Sequence, residues 1–296
     1  MGRLFTTASG SGLALAAIMG RLADPSVDPE RLITSMVRVG EQAGPNPPMG
    51  TQLRALGAMM AQALGRGDTA LTLVRQLDTG AGGGSREFSE YIRMSPVFGG
   101  YADSTMLAAV RTALSRAPVN QYVTIWRGLV ELDSGDPAAA RAVIRPTLAR
   151  TDTLQRWGYG ALLGIDGLAM VAEGDTTRGL AALDSARTLM GSAVIGAFVQ
   201  PVQLRRAVLL TRIPARRVEG LNILRYGFPG SPEYYPILQF YLGQVWENMG
   251  ERDAAAASYG QFVQLWTGAD STWQPLLEDA RAGLERVTGE QPAQSQ

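Results

Sequence analysis

The chain has 296 residues, 27 basic and 27 acidic side chains, a formal net charge of zero, and neither Cys nor His. This composition excludes disulfides, thiol nucleophiles, the usual zinc sites and His-based triads, and it argues against a polyanion such as nucleic acid as the main partner. Acid–base chemistry would rest on carboxylates, Tyr, Ser/Thr or Arg alone, so the expectation is a protein that is not an enzyme, with no metal and no cofactor.

Apolar residues make up 46% of the chain, enough for a sizeable core. Every basic residue is Arg, a pattern that fits codon usage in a GC-rich bacterial genome. No apolar run reaches the roughly 18–20 residues of a membrane span. Met1 to Thr7 fits a short acylation pattern, and Leu13–Met19 is an apolar segment followed at once by Arg21. The segment reads as a first helix of the fold in preference to a signal peptide.

Asp28-Pro29-Glu30 has the chemistry of a helix start: an N-cap, a first-turn Pro and an acid at the positive end of the dipole. The helix is expected to end at Gly40, with a Pro-rich turn over 43–50. Over 51–78, Leu53, Leu56, Met60 and Leu64 recur at helical spacing, Gly65 to Asp68 make a turn, and Ala70, Val74 and Leu77 mark a second helix. Residues 80–85 read as a flexible loop. A short helix over 87–94, a turn, and a helix over 104–116 follow. Residues 121–149 give another hairpin, with Gly128 on its first helix and a Gly135-Asp136-Pro137 turn. Residues 153–190 repeat the plan around Gly167, Gly174-Asp175 and Gly179. Residues 195–226 do so again, with Pro214 opening the second helix and Gly220 at its small position. The glycines of 158–164 have the wrong spacing for a dinucleotide loop and read as helix-packing residues.

The last hairpin, 237–266, is the most regular. Leu242, Gly243 and Trp246 lie on its first helix, Gly250 turns the chain, and Ala255, Tyr259 and Phe262 lie on its second. Gly243 and Ala255 would let the two helices approach, with Trp246 and Tyr259 filling the remaining groove. Gln274–Val287 is a final amphipathic helix, suited to covering the open end of a stack. The small second-helix positions Ala70, Ala140, Gly179, Gly220 and Ala255 recur at roughly 35–41 residues, with one gap of about twice that.

The residues of 237–266 resemble the tetratricopeptide repeat (TPR) and are similar to TPR regions of bacterial signalling proteins. The resemblance implies an all-α, TPR-like α-solenoid of about six helix-turn-helix units over 51–288 with a C-terminal capping helix. An N-terminal helical segment and Pro-rich turn over 1–50 would precede it, and a disordered tail over 289–296 would follow. It also implies a concave groove that binds a protein or peptide. Carried over residue by residue, it places Arg205 and Arg212 in the groove of the fifth unit. In the sixth it places Ile237, Phe240, Gln244, Glu247 and Asn248, and in the third Tyr122 and Ile125. Arg205, Arg206, Arg212, Arg216, Arg217 and Arg225 fall close together with Glu219 as the only acid among them. They form either a solvated basic face or a clamp for a carboxylate or acidic peptide. Tyr234 and Tyr235 are expected to be partly exposed.

The expected function is a non-catalytic protein- or peptide-binding adaptor in the cytoplasm. A sensor of a small anionic molecule and a permanent accessory subunit (periplasmic or membrane-peripheral) remain as alternatives.

Overall fold

The computed structural model of the chain describes residue 24 and residues 28–42, 47–78, 85–150, 154–191, 196–228 and 231–289. The acylation pattern, Leu13–Met19, residues 80–84 of the glycine-rich loop and the 290–296 tail lie outside them. The described residues form α-helices, three short 3-10 segments and no strand. The helices are α1 (Pro29–Gln42), α2 (Pro47–Ala63), α3 (Gly67–Asp78), α4 (Ser85–Gly99), α5 (Ser104–Ser115), α6 (Gln121–Asp133) and α7 (Pro137–Leu148). They continue as α8 (Arg156–Ala172), α9 (Thr176–Met190), α10 (Gly196–Thr211), α11 (Arg217–Tyr226), α12 (Tyr235–Met249), α13 (Arg252–Leu265) and α14 (Gln274–Thr288).

Four boundaries differ from expectation. Helix α1 runs past Gly40 to Gln42, because a single Gly weakens a helix without terminating it. Helix α2 begins inside the Pro-rich stretch, since Pro47 and Pro48 fit a first turn whose N–H groups have no helical partner anyway. Helix α4 runs past the expected end at Met94, through Pro96, to Gly99. Pro214 opens a 3-10 turn, Pro214–Arg216, and α11 begins after it.

The chain divides into two compact units. The first joins residues 1–95 to residues 228–296, and the second holds residues 96–227.

In the second unit three successive hairpins, α6/α7, α8/α9 and α10/α11, follow one another, and their first helices adjoin: α6 with α8, and α8 with α10. The turns are made as their sequences predict. Gly135 and Gly174 have φ of 76° and 95°, and Asp136 and Asp175 accept hydrogen bonds from Ala139 and Arg178 N–H as N-caps. Small residues sit where the helices cross. A Cβ on Gly167 would lie 2.8 Å from the Gly179 carbonyl, and one on Gly220 would lie 2.7 Å from the Ala207 carbonyl. Gly160 and Gly164 similarly press on Met190 and Val202, so helix packing accounts for the glycines of 158–164.

In the first unit α12, α13 and α14 wrap Tyr259. Its ring lies against Gly243 on one side and Gly283 on the other, where added Cβ atoms would come within 2.5 and 2.6 Å. Trp246 is only partly buried, and the large residues that fill this unit are Tyr259, Phe262 and Trp266.

The first and last hairpins also meet in this unit. Trp266 is fully buried, and its indole N–H donates to the Ala63 carbonyl at 2.9 Å. The Asp270 N–H donates to the Gly65 carbonyl, and the Asp270 carboxylate accepts from the Asp68 N–H at the start of α3. Gly65, at φ 74°, lies so close to Ala269 that a Cβ would sit 2.8 Å away. An array in which each hairpin touches only its sequence neighbours would not bring these two together. The first unit is instead closed between chain-distant hairpins.

Candidate partner-binding surface

Arg205 leaves the middle of α10 and points at the end of α6. Its Nε donates to Asp133 Oδ1 at 2.9 Å, and its Nη2 pairs with Asp133 Oδ2. The same guanidinium donates to the carbonyls of Val97, Phe98 and Pro201. The side chain is 12% exposed. A guanidinium so engaged orders α6, α10 and the end of α4, and does not project as a ligand clamp. Arg212 lies beyond the end of α10, exposed and apart from this network.

The other arginines of the cluster separate into two groups. Arg206 is buried and pairs with Glu219 and with Asp184, the latter at 3.2 Å. Arg216 pairs with Asp184 at 2.8 Å and with Glu219 at 2.6 Å. Two cations and two carboxylates therefore join α9, α10 and the start of α11. Hydrogen bonds from Arg216 are the largest influence holding the Asp184 and Glu219 carboxyls below the usual carboxylate range, and they raise the Arg216 guanidinium in turn. Asp184 is 32 residues upstream of Arg216, which is why a scan of neighbouring sequence finds Glu219 alone. Arg217, Arg225 and Arg212 are outside this network. Arg217 donates to the Thr211 carbonyl, and Arg225 lies 4.9 Å from the Tyr226 ring centroid.

In the last hairpin Ile237 and Phe240 are buried, packing among residues of the core. Glu247 accepts from the Tyr259 hydroxyl at 2.7 Å and from Arg286 Nε at 2.7 Å, tying α12 to α13 and α14. Arg286 foremost holds its carboxyl below the normal range, while burial and then Glu247 push the Tyr259 phenol up. Gln244 is partly exposed and Asn248 exposed, so these two remain accessible.

Tyr122, at the start of α6, is 36% exposed. Its ring lies 5.7 Å from that of Trp157, at the start of α8, in a tilted pair. Trp157 is itself only partly buried, and Val119, just before α6, is 73% exposed. Ile125, on the same expected groove face, is wholly buried. Sequence reading missed Trp157, although a signal existed: it follows Tyr122 at about one repeat length, so the two occupy equivalent places in successive hairpins.

Tyr234 is buried and stacks on Phe228 at 5.3 Å, contrary to the expected exposure, because the turn before α12 folds back on its own apolar residues. Beside it, burial pushes the Glu233 carboxyl up to about 7. Among the described residues no group of three or more acids is placed to hold a metal ion, and no helix is long and apolar enough to cross a membrane. No protein-family model, curated protein or solved structure matches the chain.

Proposed function

We propose that the chain is a non-catalytic, TPR-like helical-repeat scaffold of about six hairpins that binds a protein or peptide partner. The observation that carries this is the Tyr122–Trp157 pair, two partly exposed aromatic rings on successive hairpins beside the exposed Val119. Rigid aromatic side chains lose little conformational freedom on binding and dominate the energetics of protein interfaces. Their seats on packed helices preorganise them. Gln244 and Asn248, four residues apart on α12, offer accessible hydrogen-bonding groups for an extended chain. Arg205 and Glu247 act differently: each holds helices together, so neither belongs among the contact residues. The non-catalytic reading is supported by the engagement of Asp133, Asp184, Glu219 and Glu247 in ion pairs with arginines, which holds the carboxyls of Asp184, Glu219 and Glu247 below the usual carboxylate range.

Capture of C-terminally tagged protein from its native cells under mild cross-linking tests this reading. A stoichiometric partner is expected with the unaltered chain. Tyr122→Ala/Trp157→Ala should weaken that association by about tenfold or more, because truncating interface aromatics costs over 1 kcal/mol each. Circular dichroism should show the helices intact. A partner retained undiminished by the double variant contradicts the assignment.

A further inference from the structure

The arginines of α10, of the turn after it and of α11 differ in their counter-ions. Arg206 and Arg216 are balanced by Asp184 and Glu219, a neutral set. Arg212, Arg217 and Arg225 face no carboxylate among the described residues. Three uncompensated cations thus lie on and beside one ten-residue helix, α11. That helix also carries two of the four large apolar side chains left exposed among the described residues, Val218 at 67% and Tyr226 at 66%. Val218, Asn222 and Arg225 follow one another at i, i+4 and i+7, and Tyr226 flanks them, so apolar and basic groups share one stripe. The opposite side of α11, with Gly220, Leu221 and Leu224, is buried, and Arg217 stands on it at i to Leu221 and Leu224 at i+4 and i+7, partly buried and donating to the Thr211 carbonyl. Arg225 over the Tyr226 ring joins cation and aromatic into one flat surface.

We propose that this outer stripe of α11 docks an acidic amphipathic helix of a partner protein. The partner's apolar residues would cover Val218 and Tyr226, while its Asp or Glu side chains would meet the exposed Arg212 and Arg225. Charge complementarity selects the occupant: a basic or neutral helix would leave the two exposed guanidinium groups, Arg212 and Arg225, facing no anion. The surface is one helix wide with two apolar anchors, a size that matches helix-on-helix recognition. An anionic bilayer would draw on the same chemistry but calls for a broader basic and apolar face, and the whole chain has zero formal net charge. This inference rests on the scaffold reading and extends it to a different helix, remote in sequence from Tyr122 and Trp157.

The test is selection of a displayed library of amphipathic helical peptides of about four turns, with randomised polar faces, against the full chain. Acidic sequences should be enriched. Their affinity should fall by about tenfold or more in Val218→Glu/Tyr226→Ala and in Arg212→Glu/Arg225→Glu, and should weaken with added salt. All four positions are exposed, so circular dichroism and Tm should stay near those of the unaltered chain. Tyr122→Ala/Trp157→Ala should leave the selected peptides bound, which separates this surface from the one proposed above. The inference is overturned by the absence of acidic enrichment, by peptides insensitive to both α11 variants, by peptides lost with the Tyr122 variant, or by phosphatidylserine vesicles bound where no peptide is.

Discussion

Arg205 shows what a side chain's neighbours decide that its type does not. A lone Arg at a groove position invites an anion, but Asp133, 72 residues earlier, occupies its fork. Arg205→Ala should destabilise the second unit by about 3 kcal/mol, because it leaves the largely buried Asp133 carboxylate without its cation. Arg205→Met/Asp133→Leu should recover much of that loss, which urea unfolding of both variants would measure. The carboxyls of Asp184, Glu219 and Glu247 bind protons less readily in the folded chain than in the unfolded one. Their stabilisation is therefore complete above roughly pH 5 and is lost as pH falls through their depressed folded values. Glu233 has the opposite sign. Its folded value of about 7 lies above its ordinary 4.5, so the folded state binds more protons between them and stability declines as pH rises across that interval. Glu233→Gln should flatten Tm between about pH 5 and pH 8 and raise it at the upper end. A profile unchanged by the substitution would contradict this.

Helices and their turns were the part most legible in the sequence. Gly135, Gly174 and Gly250 announced turns that need positive φ, and Asp136 and Asp175 announced caps; each of these is local chemistry within a few residues. Small residues at crossings were legible too, through the recurrence of Gly167, Gly179, Gly220 and Gly243. What fills the space beside them was less so. Trp246 and Tyr259 are both expected to fill the last hairpin; Tyr259 does, clasped between Gly243 and a glycine of the next helix, Gly283, whereas Trp246 is only partly buried. Gly283→Ala should cost about 1–3 kcal/mol, since the new methyl group would lie 2.6 Å from the Tyr259 ring unless α14 shifts. A shift in the denaturant midpoint with an unchanged slope would report that loss; an unchanged midpoint would refute the packing.

For the molecule as a whole, periodicity said that hairpins recur but not which hairpins touch. The contact between Trp266 and Ala63, 203 residues apart, uses a hydrogen bond and a fully buried indole that no local pattern encodes. The proposed partner-binding surface was half legible: Tyr122 was placed by the TPR resemblance, whereas Trp157, one repeat length later, drew no notice until its ring was seen beside that of Tyr122. The Arg cluster was legible as composition and misread as a unit, because its counter-ions lie on other helices. The scaffold account is tested most directly by placing a photoreactive phenylalanine analogue at position 122 and irradiating the protein in its native cells. The account predicts one dominant adduct containing a second protein, abolished by Trp157→Ala and absent when the analogue replaces the exposed Arg116. Adducts equally abundant from both positions, or none from position 122 in a folded protein, would contradict it.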